Sequence, residues 1–173
     1  MTNAPLERLR NRLPGQSNFI IVGQQPSGNH PDNPLATDNG VWSGARLARM
    51  ASISGKEFED HFARVNLNHR NEGPFRVNEF TRARARETWK TFRPEDKIIL
   101  LGAAVSKCFH GLLPPLIPVG SPGSPFIHGI CDSGMAVAVV PHPSGLNRFY
   151  NDPSNIIAIG HFLRACYEGR WIY

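Results

Sequence analysis

The sequence predicts an α/β protein, a three-layer α/β/α sandwich around a central four-stranded parallel sheet. Four short apolar runs, at 18–22, 62–67, 97–102 and 135–140, have the length and β-branched content of strands buried on both faces. Segments of helical character separate them, the alternation that builds a parallel sheet with helices on its faces. The last run leads into Pro141-His142-Pro143-Ser144-Gly145-Leu146-Asn147-Arg148, a loop placed where open α/β sheets bind ligands. With 173 residues the chain is long enough for one good core, so a single domain over 1–173 is expected.

Each element has its own signal. Residues 5–13 read as a short amphipathic helix, followed by the strand at 18–22. The loop at 23–40 is rich in Pro, Gly, Asn and Asp and long for a compact domain, and long ordered loops usually carry function. A helix is expected at 43–52, with Leu47 and Met50 three apart. Ser54 and Glu57 then form a capping box ahead of Phe58 and Phe62. After the strand at 62–67, helical propensity runs over 78–92, where Arg82, Arg84 and Arg86 alternate and so spread around the helix. The run at 97–102 is the clearest buried strand, and 103–112 the helix behind it. Prolines and glycines break 113–130, which is expected to be irregular. Beyond the strand at 135–140 and the loop at 141–151, Asp152 caps a final helix and Pro153 takes its first position.

Composition narrows the function. A formal charge of +5 tilts toward an anionic partner such as nucleic acid. Cys108, Cys131 and Cys166 are odd in number and lack C-x-x-C spacing, which fits free thiols in a reducing compartment. The charged Leu6-Glu7-Arg8-Leu9-Arg10 is unlike a signal peptide, and no apolar run reaches membrane-spanning length. A soluble, cytoplasmic protein, monomeric and without membrane contact, is the expectation. Walker-type lysine loops, G-x-G-x-x-G and G-x-S-x-G are lacking, and the histidines have no zinc-ligand spacing. No metal and no cofactor are expected.

Two loops follow strands in similar fashion: Gly23-Gln24-Gln25-Pro26-Ser27-Gly28 and His142-Pro143-Ser144-Gly145-Leu146. They resemble the G-Q-D-P-Y-H or G-x-N-P-G loop and the H-P-S-P-L loop of the uracil-DNA glycosylase superfamily. Val41-Trp42-Ser43-Gly44 is similar to the segment carrying that family's base-stacking aromatic. Phe62-Ala63-Arg64-Val65-Asn66 is similar to the strand bearing its base-reading asparagine, and 98–102 to its third strand. The motifs occur in the family's order over most of the chain. The resemblance implies a uracil-DNA glycosylase-like fold and a DNA glycosylase that hydrolyses the N-glycosidic bond of uracil or a 5-modified pyrimidine and leaves an abasic site, without a metal.

Such an enzyme must extrude a base, hold its edge and face, and stabilise the charge on the leaving group. His142 can donate to the departing base's oxygen; the rival reading is a histidine that fixes a Pro-rich turn. Asn66 offers a donor and an acceptor to a pyrimidine edge, with Asn68 competing for the role. Trp42 can stack on the base or simply belong to the core. Leu146 is the candidate wedge and Arg148 the candidate phosphate contact, within a DNA-binding loop of Ser144, Gly145, Leu146, Asn147 and Arg148.

Two departures from the family pattern stand out. Gln25 occupies the place of a catalytic aspartate: it can orient water but supplies no charge, so a slower or differently assisted enzyme is expected, with Asp32, Asp38 or Asp152 as other sources of charge. Ser27 replaces a tyrosine that excludes 5-substituents, which admits bulkier pyrimidines. His30 lies two positions from the family's histidine and takes no role, and the four cysteines of the iron-sulfur subgroup are missing. The competing functions are a catalytically weak or inactive DNA-binding module of the same fold and, more distantly, a nucleotide or nucleoside hydrolase.

Overall fold

Phe19–Gly23 (β1) and Ala136–Val140 (β6) are buried at every position, and Lys97–Leu101 (β3) at all but its first. Strands without a polar face need cover on both sides, and the chain supplies it. The computed structural model describes residues 4–13, 16–26, 33–40, 42–68, 73–119, 124, 126–144 and 147–171. With Ala63–Asn66 (β2), these strands form a parallel set in the order β2-β1-β3-β6.

Alternation along the strands divides the interior in two. Phe19, Ile21, Ile99, Leu101, Ala138 and Val140 face Ser43–Met50 (α2), Gly55–His61 (α3) and Pro153–Tyr167 (α6), with Leu47, Phe58 and Phe162 at the centre. Ile20, Val22, Val65, Ile98, Leu100, Val137 and Val139 face Ala4–Arg10 (α1), Glu79–Trp89 (α4) and Ala103–Cys108 (α5). Each fully buried Leu, Ile or Phe contributes about 1.5–3 kcal/mol, so the two clusters dominate stability. Three layers are therefore present, as expected.

The sheet has six strands rather than the four expected. Ile117–Pro118 (β4) and Ile127–Ile130 (β5) extend it antiparallel beyond β6, inside the 113–130 stretch that reads as irregular. The breakers that hide these strands are compatible with their places. Pro118 lies on the edge strand, where proline is tolerated. Gly129 passes so close to the 115 carbonyl that an added Cβ would sit 2.3 Å from it. Helices end earlier than propensity suggests, α5 at Cys108 and α4 at Trp89. The Ser54–Glu57 capping box and the Asp152 cap with Pro153 are both formed. A second capping box, Asn78 with Thr81, opens α4.

Candidate functional site

From β1 the chain crosses to β2 on one side of the sheet, and from β3 it crosses toward β6 on the other. Opposite crossings leave a crevice at the carboxyl ends of β1 and β3, the usual ligand position in such sheets. Period two brings Gly23, Asn66 and His142 to the face covered by α2, α3 and α6, two residues beyond Ile21, Arg64 and Val140 respectively. Two glycines make room there. Gly23 is paired in register with Asn66, and a Cβ on it would lie 2.3 Å from the Asn66 Oδ1. Gly102 caps α5 with φ +90°, and a Cβ on it would come within 3.0 Å of the His142 Cβ and 3.7 Å of the Gln24 Nε2. Any other residue at 102 would be strained by its backbone and would press on His142.

Asn66 is the most informative residue of this edge. It is only 6% exposed, and neither its Oδ1 nor its Nδ2 has a hydrogen-bond partner. The backbone around it is fully used: the Leu67 N–H donates to the Gly23 carbonyl at 3.1 Å and the Asn68 N–H to the Gln24 carbonyl at 2.9 Å. Asn68 lies past the end of β2, after a bend at Leu67, and its buried Oδ1 is also without a partner. A buried amide left unpaired costs about 1–3 kcal/mol, so the Asn66 side chain adds nothing to stability through hydrogen bonding.

The His142 loop is held from three sides. The Tyr150 hydroxyl donates to the Pro141 carbonyl at 2.6 Å, the Asn147 Nδ2 to the His142 carbonyl at 3.0 Å, and the Arg46 guanidinium of α2 to the Pro143 carbonyl at 3.3 Å. Three successive carbonyls are thus fixed by three separate side chains. Burial lowers the pKa of His142 below its ordinary 6.5, which keeps the imidazole neutral with one N–H to give. Burial likewise raises the Tyr150 phenol, which stays a donor.

The other expected residues divide. Gln25 donates from Nε2 to the Gly73 carbonyl at 3.0 Å. Trp42 stands at the N-cap of α2, its N–H donating to the Asn39 carbonyl. Asn147 spends its amide on the loop, accepting from the Phe149 N–H as well as donating to His142. Its Nδ2 and Oδ1 therefore both serve the turn. The Ser144 carbonyl accepts from the Asn147 N–H, and Arg148, exposed, opens the 3-10 turn Arg148–Asn151. Arg76, Arg82 and Arg148 lie on connections leaving the strand ends and make no ion pair among the described residues, whereas Arg10, Arg64, Arg86 and Arg164 all do. Asp152 is committed to its helix, accepting from the Ser154 N–H and hydroxyl, and the Ser154 hydroxyl bond holds its carboxyl below the usual range. Asp38 is exposed. Ser27, His30, Asp32, Gly145 and Leu146 lie outside the described residues.

Sequence reasoning passed over Gln24, Gly102, Arg46 and Tyr150. Only Gly102 had a local signal, a glycine at a strand-to-helix junction; Gln24 and Arg46 are identified by contacts far along the chain, and Tyr150 by a hydrogen bond back to the Pro141 carbonyl nine residues earlier. Among the described residues no group of three or more His, Cys, Asp or Glu is placed to hold a metal ion, and no helix is long and apolar enough to cross a membrane. No family model matches the chain, and no curated protein sequence is similar to it.

Proposed function

We propose that this chain is a DNA glycosylase of the uracil-DNA glycosylase type, removing uracil or a 5-modified pyrimidine flipped out of DNA. The observation that carries the reading is the buried, unpartnered amide of Asn66 at the end of β2, with a neutral, loop-anchored His142 just past the end of β6, β1 and β3 lying between them in the same parallel set. A pyrimidine with an N–H beside a carbonyl supplies the acceptor and donor that Asn66 lacks. In the reaction the bond from the sugar carbon to the base nitrogen breaks, and its electron pair leaves with the base. The His142 N–H stabilises the negative charge on the base oxygen, and a water oxygen bonds to the sugar carbon. One proton of that water leaves for solvent, and the base takes up a proton on release. Gln25 orients the water without adding charge. The unpaired Arg148 meets a phosphate.

Abasic-site formation on duplexes carrying uracil, 5-hydroxymethyluracil or modified cytosines tests this directly. His142→Ala is expected to lower single-turnover base release by about two to three orders of magnitude while affinity stays within a few-fold, because the bond strengthens mainly in the transition state. An undiminished rate would remove His142 from the chemistry. A second reading is favoured by the residues around Gln25, whose amide nitrogen is engaged by Gly73, and by Asp152, which is engaged in its helix cap. With no carboxylate supplied by either position, the same pocket serves a module that recognises a base without excising it; such a module retains the duplex and yields no alkali-sensitive strands.

A further inference from the structure

We infer that Phe80 and Arg84, one turn apart on α4, form a subsite for one unpaired nucleotide of a nucleic-acid strand, the base stacked on Phe80 and its phosphate on Arg84. The subsite is distinct from the crevice. α4 covers the sheet face opposite to the one on which Asn66 and His142 stand, and no excisable base is needed to fill it.

Thr81, Ala85 and Thr88 form the buried face of α4. At about 3.6 residues per turn, Phe80 and Arg84 fall together on the flank that Glu87 continues, whereas Arg82 and Arg86 fall on the other. Phe80 is 60% exposed, a ring offered to solvent on the first turn. Arg84 is half-buried, and its Nη2 is covered and without a hydrogen-bond partner. Burial lowers its pKa, and the Glu87 carboxylate that supports its charge already bonds Lys90 at 2.8 Å and lies 3.7 Å from Arg10. A guanidinium does not give up its proton, so Arg84 is a cation short of counter-charge. Glu79, the other acid of α4, is taken by Arg86 at 2.6 Å. The Thr81 hydroxyl donates to the Arg76 carbonyl at 3.0 Å and so holds a further cation beside the first turn; Arg76 is exposed and makes no ion pair among the described residues. An exposed ring four residues from an under-neutralised guanidinium fits a ligand with a flat face and a negative charge in one unit. A nucleotide has both, and a base within a duplex has its face covered, so the nucleotide must be unpaired. An acidic peptide answers the charges alone.

The test is the anisotropy of a short fluorescent oligo(dA), whose purines a pyrimidine site refuses but a stacking ring accepts. The native protein is expected to bind it, Phe80→Ala to weaken binding by about tenfold, and Phe80→Trp, which keeps a ring, to retain it. Arg84→Gln should weaken binding and flatten its slope against log salt by about 0.7, the share of one phosphate on a single strand. Undiminished binding by Phe80→Ala, or a salt slope that Arg84→Gln leaves unchanged, overturns the assignment. So does a native protein that ignores oligo(dA) and instead self-associates or binds an acidic peptide through Phe80. The two readings fail separately: uracil release by a protein that ignores oligo(dA) leaves the glycosylase standing without this subsite, and oligo(dA) binding that Phe80→Ala abolishes, in a protein that releases no base, sustains the subsite while the glycosylase falls.

Discussion

The two ends of the parallel sheet treat their polar groups in opposite ways. At the amino-terminal end, Arg12 and Asp96 are buried together and joined by two bonds, 2.9 and 2.6 Å, between residues 84 apart in the chain. Asp96 also accepts from the Arg93 N–H at 2.7 Å, the Arg12 Nε donates to the Leu9 carbonyl, and the Asn18 amide donates to the Glu95 carbonyl. At the carboxyl-terminal end, Asn66 is about as buried as Arg12 and has no partner for either amide atom. Equal burial with opposite satisfaction separates a polar pair that holds the fold together from an amide that contributes no hydrogen bond to it. The first end is closed upon itself; the second leaves amide atoms without a protein partner.

Substitution sharpens this contrast. Asp96→Ala leaves the Arg12 guanidinium buried without its counter-charge and is expected to cost about 3–5 kcal/mol of unfolding free energy. Asn66→Ala removes an amide that bonds to nothing and is expected to change stability by less than about 1 kcal/mol, or to raise it, while abolishing ligand binding. Urea unfolding of the two variants beside the native protein measures both. Comparable losses would mean that the two ends are built alike and that Asn66 has a structural role. Tyr150→Phe tests the loop between these extremes. It unpairs the Pro141 carbonyl and is expected to cost about 1–1.5 kcal/mol, and base release should fall severalfold with affinity unchanged if that bond positions His142. Stability falling without any effect on rate would limit Tyr150 to the fold.

Much of this contrast was hidden in the sequence, for physical reasons. Buried parallel strands announce themselves as apolar runs, so β1, β2, β3 and β6 and the layers they imply were readable. β4 and β5 were not, because Pro118 and Gly129 are strand breakers everywhere except at an edge or a close approach. The Asp152 cap was legible from its Pro153 neighbour, but its consequence, a carboxylate withdrawn from the site, needed the Ser154 bonds. Asn66 and Asn68 are equivalent as letters; only burial shows that both stand unpartnered. The Arg12–Asp96 pair and the grip of Arg46 on the Pro143 carbonyl span 84 and 97 residues, and no local pattern encodes a contact at that separation.

The smallest expected effect is one of pH, and it is expected at His142. Burial lowers the His142 pKa from 6.5, so the folded chain resists a proton that the unfolded chain accepts. Well above pH 6.5 the imidazole is neutral in both states and its contribution to the pH dependence vanishes. As pH falls below that value the unfolded state takes up the proton first, so stability declines until the folded-state pKa is passed, where the loss levels off. His142→Gln should remove this part of the acid decline, and the difference between native and variant unfolding free energies, measured from pH 7.5 to pH 5, isolates it. The same titration bears on chemistry. A neutral imidazole offers one N–H to a developing negative charge without itself being charged beforehand, so base release should hold at pH values where an ordinary histidine is already half protonated. A rate that instead changes with a midpoint at or above 6.5 would mean that His142 is open to solvent when DNA is bound.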